Sequence, residues 1–192
     1  MNRQETFNQT NAFAMQYGMA FGAIWAISFF SFIFHFQFPF LMLVFLFTTV
    51  SAPFIGIKFT KMFRKQTSVD DTLSFRKAYI FSLLTYLYSS ILLALLAYLY
   101  FEFLDGGMFC DNYEAFLAQP DVKEQLSTPE MQRTFELMAG STDIKIMVDL
   151  IRNTSSITKA ASCLDTSIFF GFVLSIPTAL LCKRNTPQST IQ

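Results

Sequence analysis

From Thr6 to Ile57 the chain carries no Asp, Glu, Lys or Arg, and its sole histidine is His35. One histidine leaves a His-based metal site or a Ser-His-acid arrangement without a supporting cluster. Three cysteines, Cys110, Cys163 and Cys182, make neither a metal-ligand spacing nor a dense disulfide framework. The formal net charge is zero, so the concentrated basic surface that neutralises phosphates is missing and nucleic-acid binding is not expected. There is no HExxH, P-loop or glycine-rich nucleotide motif. Without two convergent polar groups to name, the chain reads as non-enzymatic and without a cofactor. A cleaved secretory signal is not expected, because the first apolar run is too long and no small-x-small site follows it.

What is present is strongly segregated. Ala78 to Phe101 is uncharged, with Arg76 and Lys77 at one end and Glu102 and Asp105 at the other. As a helix it would run about 36 Å, enough to cross a hydrocarbon core of about 30 Å. Further spans are predicted at about 12–34, 40–59 and 160–182, after a polar N-terminus at 1–11. His35 to Pro39 forms a tight turn between the first two, since proline disfavours helical geometry at Phe38 before it. The fold class is therefore all-α, an integral membrane protein with four transmembrane helices arranged as a four-helix bundle. The loop 60–77 and its flanks hold Lys58, Lys61, Arg64, Lys65, Arg76 and Lys77, six of the fourteen basic residues. Short loops rich in Lys and Arg stay inside, which puts both termini and the 183–192 tail in the cytoplasm. The 104–159 segment then lies outside as helices joined by turns. A first is predicted at Asp111–Ala118. A second starts at Thr128-Pro129 and ends near Gly140, with Met131, Phe135 and Met138 on one face. Ser141–Arg152 forms a third, with Ile144, Met147, Val148 and Ile151 in helical register.

The stretch from Asp70 through Asp105 resembles a family of small bacterial inner-membrane proteins, a domain of unknown function found in Bacteroidetes. Ser74, Phe75, Ala78 and Tyr79 are similar to that family's start of the third span, and Phe103 and Asp105 to its aromatic-aspartate exit. Met131 in the loop, and Gly171, Lys183 and Arg184 in and after the last span, extend the likeness from about Ala12 to Arg184. Gly106 stands where the family often has proline. The resemblance implies four helices and carries over no catalytic residue.

Four groups of residues merit a structural test. Ala14, Gly18, Gly22 and Ala26 recur every four residues, a stripe that lets another backbone approach closely, from the third span or from a second copy. Ser82, Thr85, Tyr86, Ser89 and Ser90 make one face of the third span polar. Ser89 and Asp165 are the candidate polar site, and Asp165 reads better as a carboxylate at the start of the last helix. Cys110 and Cys163 both fall near outer ends of spans, where a disulfide is geometrically allowed. The basic cluster is explained by topology alone, and a site for anionic lipid such as cardiolipin is its second reading. The expected role is a structural or interaction component acting through the outer helical loop, alone or with a homo-oligomeric or membrane partner. The alternative is a small transporter or channel subunit built by oligomerisation.

Overall fold

The computed structural model describes residues 3–68, 71–139 and 144–184, nearly all of them helical. Four helices are long and apolar enough to cross a membrane: α1 (Arg3–Phe34), α2 (Leu41–Thr67), α3 (Phe75–Leu99, prolonged by a π-helical turn at Tyr100–Leu104) and α8 (Ser156–Cys182). Four shorter helices lie between α3 and α8: α4 (Met108–Leu117), α5 (Pro120–Leu126), α6 (Pro129–Ala139) and α7 (Ile144–Asn153).

Each long helix exceeds its predicted span, because hydropathy marks the apolar part and helical propagation is cheap once a helix exists. Residues 3–11 of the polar N-terminal stretch belong to the first turns of α1. Its polar side chains are provided for: the Thr10 hydroxyl donates to Thr6 O at 2.8 Å, and the Tyr88 hydroxyl donates to Asn11 Oδ1 at 2.7 Å. In the same way α2 continues through Lys58, Lys61, Arg64 and Lys65, so most of the basic loop is helix. Cations are favoured at that end by the helix dipole. Ser74 caps α3 by accepting from Lys77 N, and Ser155 caps α8 by accepting from Thr158 N.

α3 is the most buried of the four and packs along both α1 and α8; α1 also meets α2, and α2 meets α8. One core cluster joins Ala14, Tyr17, Phe63, Leu73, Ala78, Phe81 and Ala179, with the Phe63 and Phe81 rings stacked at 4.1 Å. A second joins Phe21, Ala52 and Tyr86. α2 and α8 turn large apolar side chains outward, among them Phe47, Val50, Phe54, Phe169 and Leu181.

The short helices have a core of their own, Cys110, Leu117 and Val148 from α4 and α7. They seat on the α1–α2 turn through aromatic rings. Phe36 lies 5.8 Å from Phe109, 5.8 Å from Tyr113 and 5.6 Å from Phe116, with His35 beside it. The predicted helices recur with shifted ends, and α5 is an addition that Pro120 at its first turn announces. Gly140 and Ser141, and the side chains of Phe135, Met138 and Ile144, lie outside the described residues.

Candidate functional site

The small-residue stripe on α1 meets α3 of the same chain. A β-carbon at Gly18 would lie 2.6 Å from Tyr88 Cβ and 3.0 Å from Thr85 O, and one at Gly22 would lie 2.7 Å from Leu92 Cδ2. Ala14 is fully buried in the core cluster with Ala78 and Phe81. Ala26 departs from the pattern, lining an outward groove with Ile27, Phe30 and Leu41.

The hydroxyl face of α3 is buried, and most of its groups are satisfied locally. Thr85 donates to Phe81 O, and both Ser89 and Ser90 donate to Tyr86 O, each at 2.8 Å. On the facing helices Thr60 donates to Gly56 O at 2.9 Å and Ser175 to Gly171 O at 2.6 Å. The Ser82 and Thr60 hydroxyls lie 3.4 Å apart, across the α2–α3 contact. This is how hydroxyls are accommodated in an apolar interior, by bonding back to their own helix. It makes the face a close-packed polar seam.

Tyr86 is the centre of that seam. Its ring lies 5.2 Å from Phe21 of α1, edge to face. A β-carbon at Gly171 of α8 would fall 2.6 Å from Tyr86 Cβ, and one at Gly56 of α2 would fall 2.5 Å from the Tyr86 hydroxyl oxygen. Two glycines from two helices therefore make the slot that holds one tyrosine from a third. Thr178 lies beside the hydroxyl, yet the Tyr86 hydroxyl is buried without a hydrogen bond in acceptable geometry. Sequence pattern missed this slot, since Gly56 and Gly171 are isolated and repeat with nothing.

Ser89 and Asp165 are not brought together. Ser89 is buried at the α3 seam, whereas Asp165 sits on the exposed side of α8. α8 begins at Ser156, so Asp165 is in the third turn of the helix and is not the N-terminal carboxylate expected at a helix start near Thr166.

The disulfide allowed by sequence is not formed. Cys110, Cys163 and Cys182 are free thiols. Cys110 is buried among Leu117 and Val148, while Cys163 lines a crevice of ≈ 400 Å³ with Trp25, Ser28, Phe45 and Leu93. Burial pushes the Cys110 thiol above its ordinary pKa, with Lys159 and Arg152 pulling the other way. Alkylation of the unreduced, unfolded protein is expected to label three thiols by mass spectrometry; a disulfide would leave one. In the folded protein Cys110 and Cys182, both buried, should react more slowly than the partly exposed Cys163.

Asp105, read from sequence as the exit acid of the third span, organises the start of α4. Its carboxylate accepts from Phe109 N at 2.9 Å and Gly107 N at 3.3 Å, across Gly106 and Gly107 at φ of 53° and 91°. The Asp-Gly-Gly triplet was the available signal, since the positive φ angles suit glycine.

The basic end is tied by Asp71. Arg64 Nε donates to Asp71 Oδ1 at 2.8 Å and Arg184 Nη1 donates to Asp71 Oδ2 at 2.9 Å. Arg64 Nη1 also donates to Cys182 O at 3.0 Å, and the Leu73 and Arg184 backbones exchange two 2.8 Å hydrogen bonds. Ends of α2 and α8 are thus fastened to the α2–α3 connection. Asp70 lies outside the described residues. Among the described residues no group of three or more His, Cys, Asp or Glu side chains is placed to hold a metal.

None of the curated proteins matches the chain, and none of the solved structures does. The family described as a protein of unknown function, DUF4199, matches residues 16–184. That range takes in the larger part of α1, all of α2, α3 and α8, the Tyr86 slot and the Asp71 tie, so this chain belongs to the DUF4199 family of proteins of unknown function.

Proposed function

We propose that the protein is a non-enzymatic, multi-pass component of a bacterial inner membrane, a four-helix bundle that presents α4–α7 outside the cytoplasm to a protein partner. Lys58, Lys61, Lys65, Arg76, Lys77 and Lys183 gather at one end of the long helices, and Glu102, Asp111 and Glu114 at the other. By the bias of Lys and Arg towards the cytoplasm, both termini are inside. The observation that carries the partner reading is the two-sidedness of the short helices. Their inner side chains, Cys110, Leu117 and Val148, close a core, and α4 is anchored to the α1–α2 turn. Their outer side keeps Met131, Leu137, Ile146 and Leu150 uncovered, Leu137 at 81% exposure. Interface centres are apolar, and these four side chains offer uncovered apolar area among exposed charges such as Glu136, Lys145 and Asp149. The locally bonded hydroxyls of α3 support a packing role for that helix over a conducting one.

The test replaces Leu137, Ile146 and Leu150 together with glutamate and compares proteins cross-linked in native membranes. Loss of a specific cross-linked partner by about tenfold or more, at unchanged thermal stability, is the expected result. An unchanged cross-linking pattern would remove α6 and α7 as the docking surface.

A further inference from the structure

Sequence presents one basic cluster, and the structure divides it in two. Arg64 and Arg184 are occupied by Asp71, and the Lys77 ammonium lies 5.3 Å above the Phe63 ring. Lys58, Lys61 and Lys65 are different. All three are exposed, and together with Phe54, Ile57 and Met62 they line one groove of ≈ 420 Å³ on the outward side of α2. None of the three forms a salt bridge with a described residue.

Positions 54, 58, 61 and 65 follow the three- and four-residue spacing of a single helix face, and Lys58 to Lys65 spans about 10 Å of axis. Towards the start of α2 the same face continues as Leu43, Phe47, Val50 and Phe54, each 66% exposed or more. A ladder of ammonium groups thus sits directly above an apolar track. That order, charge then hydrocarbon along one line, complements a phospholipid lying against the helix with its phosphate at the lysines and its chains on the track.

Two alternatives explain less. The helix dipole favours Lys65 in the last turn but gives no reason for Lys58, nine residues before the end at Thr67. Snorkelling of a lysine stem to the interface accounts for single residues, not for three on one azimuth. The ladder also repels itself, since like charges at i,i+3 and i,i+4 are unfavourable, and a bound anion relieves that repulsion.

We propose that Lys58, Lys61 and Lys65, with Phe54 and Ile57 below them, form a binding site for an anionic phospholipid, and that a headgroup with two phosphates occupies it best because the ladder offers three cations along its length. The site is separate from the outer docking surface and neither depends on the other.

Native mass spectrometry of the purified protein with added lipid reads the site directly. The probes are phosphatidylethanolamine, phosphatidylglycerol and diphosphatidylglycerol. Retention is expected to rise in that order. Lys58→Gln with Lys61→Gln should weaken diphosphatidylglycerol binding by about 25-fold, at about fivefold per lysine. Lys58→Arg with Lys61→Arg should keep it, which separates loss of charge from loss of fold. The matched pair Arg76→Gln with Lys183→Gln removes the same charge elsewhere and should leave binding within a few-fold. Equal retention of the zwitterionic and anionic lipids, or equal weakening by the two glutamine pairs, would overturn the site.

Discussion

Gly171→Leu and Gly18→Leu are each expected to destabilise the protein by about 3 kcal/mol, the upper end of what overpacking a filled core costs. The reason lies in which atoms obstruct the new side chain. At Gly171 they are Cβ and Cγ of Tyr86, 2.6 and 3.2 Å from the position a β-carbon would take; at Gly18 they are Cβ of Tyr88 and the backbone oxygen of Thr85. Roots of side chains and backbone atoms move only if whole helices move, so α3 would have to part from α8 or from α1. Gly22 is a milder case, because the nearest obstacle is the tip of Leu92, which can change rotamer. The sign makes the prediction discriminating. In an unencumbered helix interior, alanine is better than glycine by about 0.5–1 kcal/mol, so Gly→Ala there should stabilise. Here Gly171→Ala and Gly18→Ala should already destabilise in equilibrium unfolding in mixed micelles. Wild-type stability for Gly171→Leu would mean that α3 and α8 are not packed as described.

The same glycines mark the boundary of what could be read from the amino-acid order. The stripe Ala14, Gly18, Gly22, Ala26 was visible because it repeats, and three of its four members do face inward; the identity of its partner was not visible, since a stripe says how close a neighbour comes and not which neighbour. Gly56 and Gly171 carry equal weight and were invisible as a pair, because their relation exists only through the ring of Tyr86. Spans were legible from segregated charge, yet their ends were not. Hydropathy stops α2 at about Phe59, before Lys61 and Lys65, whereas Lys and Arg are good helix formers and the chain stays helical to Thr67. That extension matters for the lipid site, because it turns a basic loop into an ordered ladder. Asp165 was misplaced for the related reason that the apolar stretch begins about ten residues after the helix does. The pairing of Cys110 with Cys163 failed on a different count: Cys110 is enclosed by α4 and α7, whereas Cys163 of α8 lines a crevice with residues of α1, α2 and α3. A linear reading places residues at a depth and leaves their direction open.

Tyr86 permits a test in which packing and polarity are separated. Tyr86→Ala should cost about 3–5 kcal/mol, the range for removing a buried aromatic ring, because the slot between Phe21, Gly56 and Gly171 would be left empty. Tyr86→Phe should be neutral or stabilising by about 1 kcal/mol, since the hydroxyl it removes is buried beside Thr178 with no well-formed hydrogen bond among the described residues. The geometry goes further and predicts unequal couplings. The obstacle to a side chain at Gly56 is the far end of the tyrosine, its hydroxyl oxygen at 2.5 Å and Cζ at 3.2 Å, and alanine at position 86 has neither atom. The cost of Gly56→Ala should therefore vanish when Tyr86→Ala is already present. The obstacle at Gly171 begins with Tyr86 Cβ, which alanine keeps, so much of the cost of Gly171→Ala should persist in the same background. Double-mutant cycles on contacting residues resolve interaction energies of about 0.5–3 kcal/mol, sufficient to tell these two outcomes apart. Equal coupling of both glycines to Tyr86 would show that the ring is not held root against α8 and tip against α2.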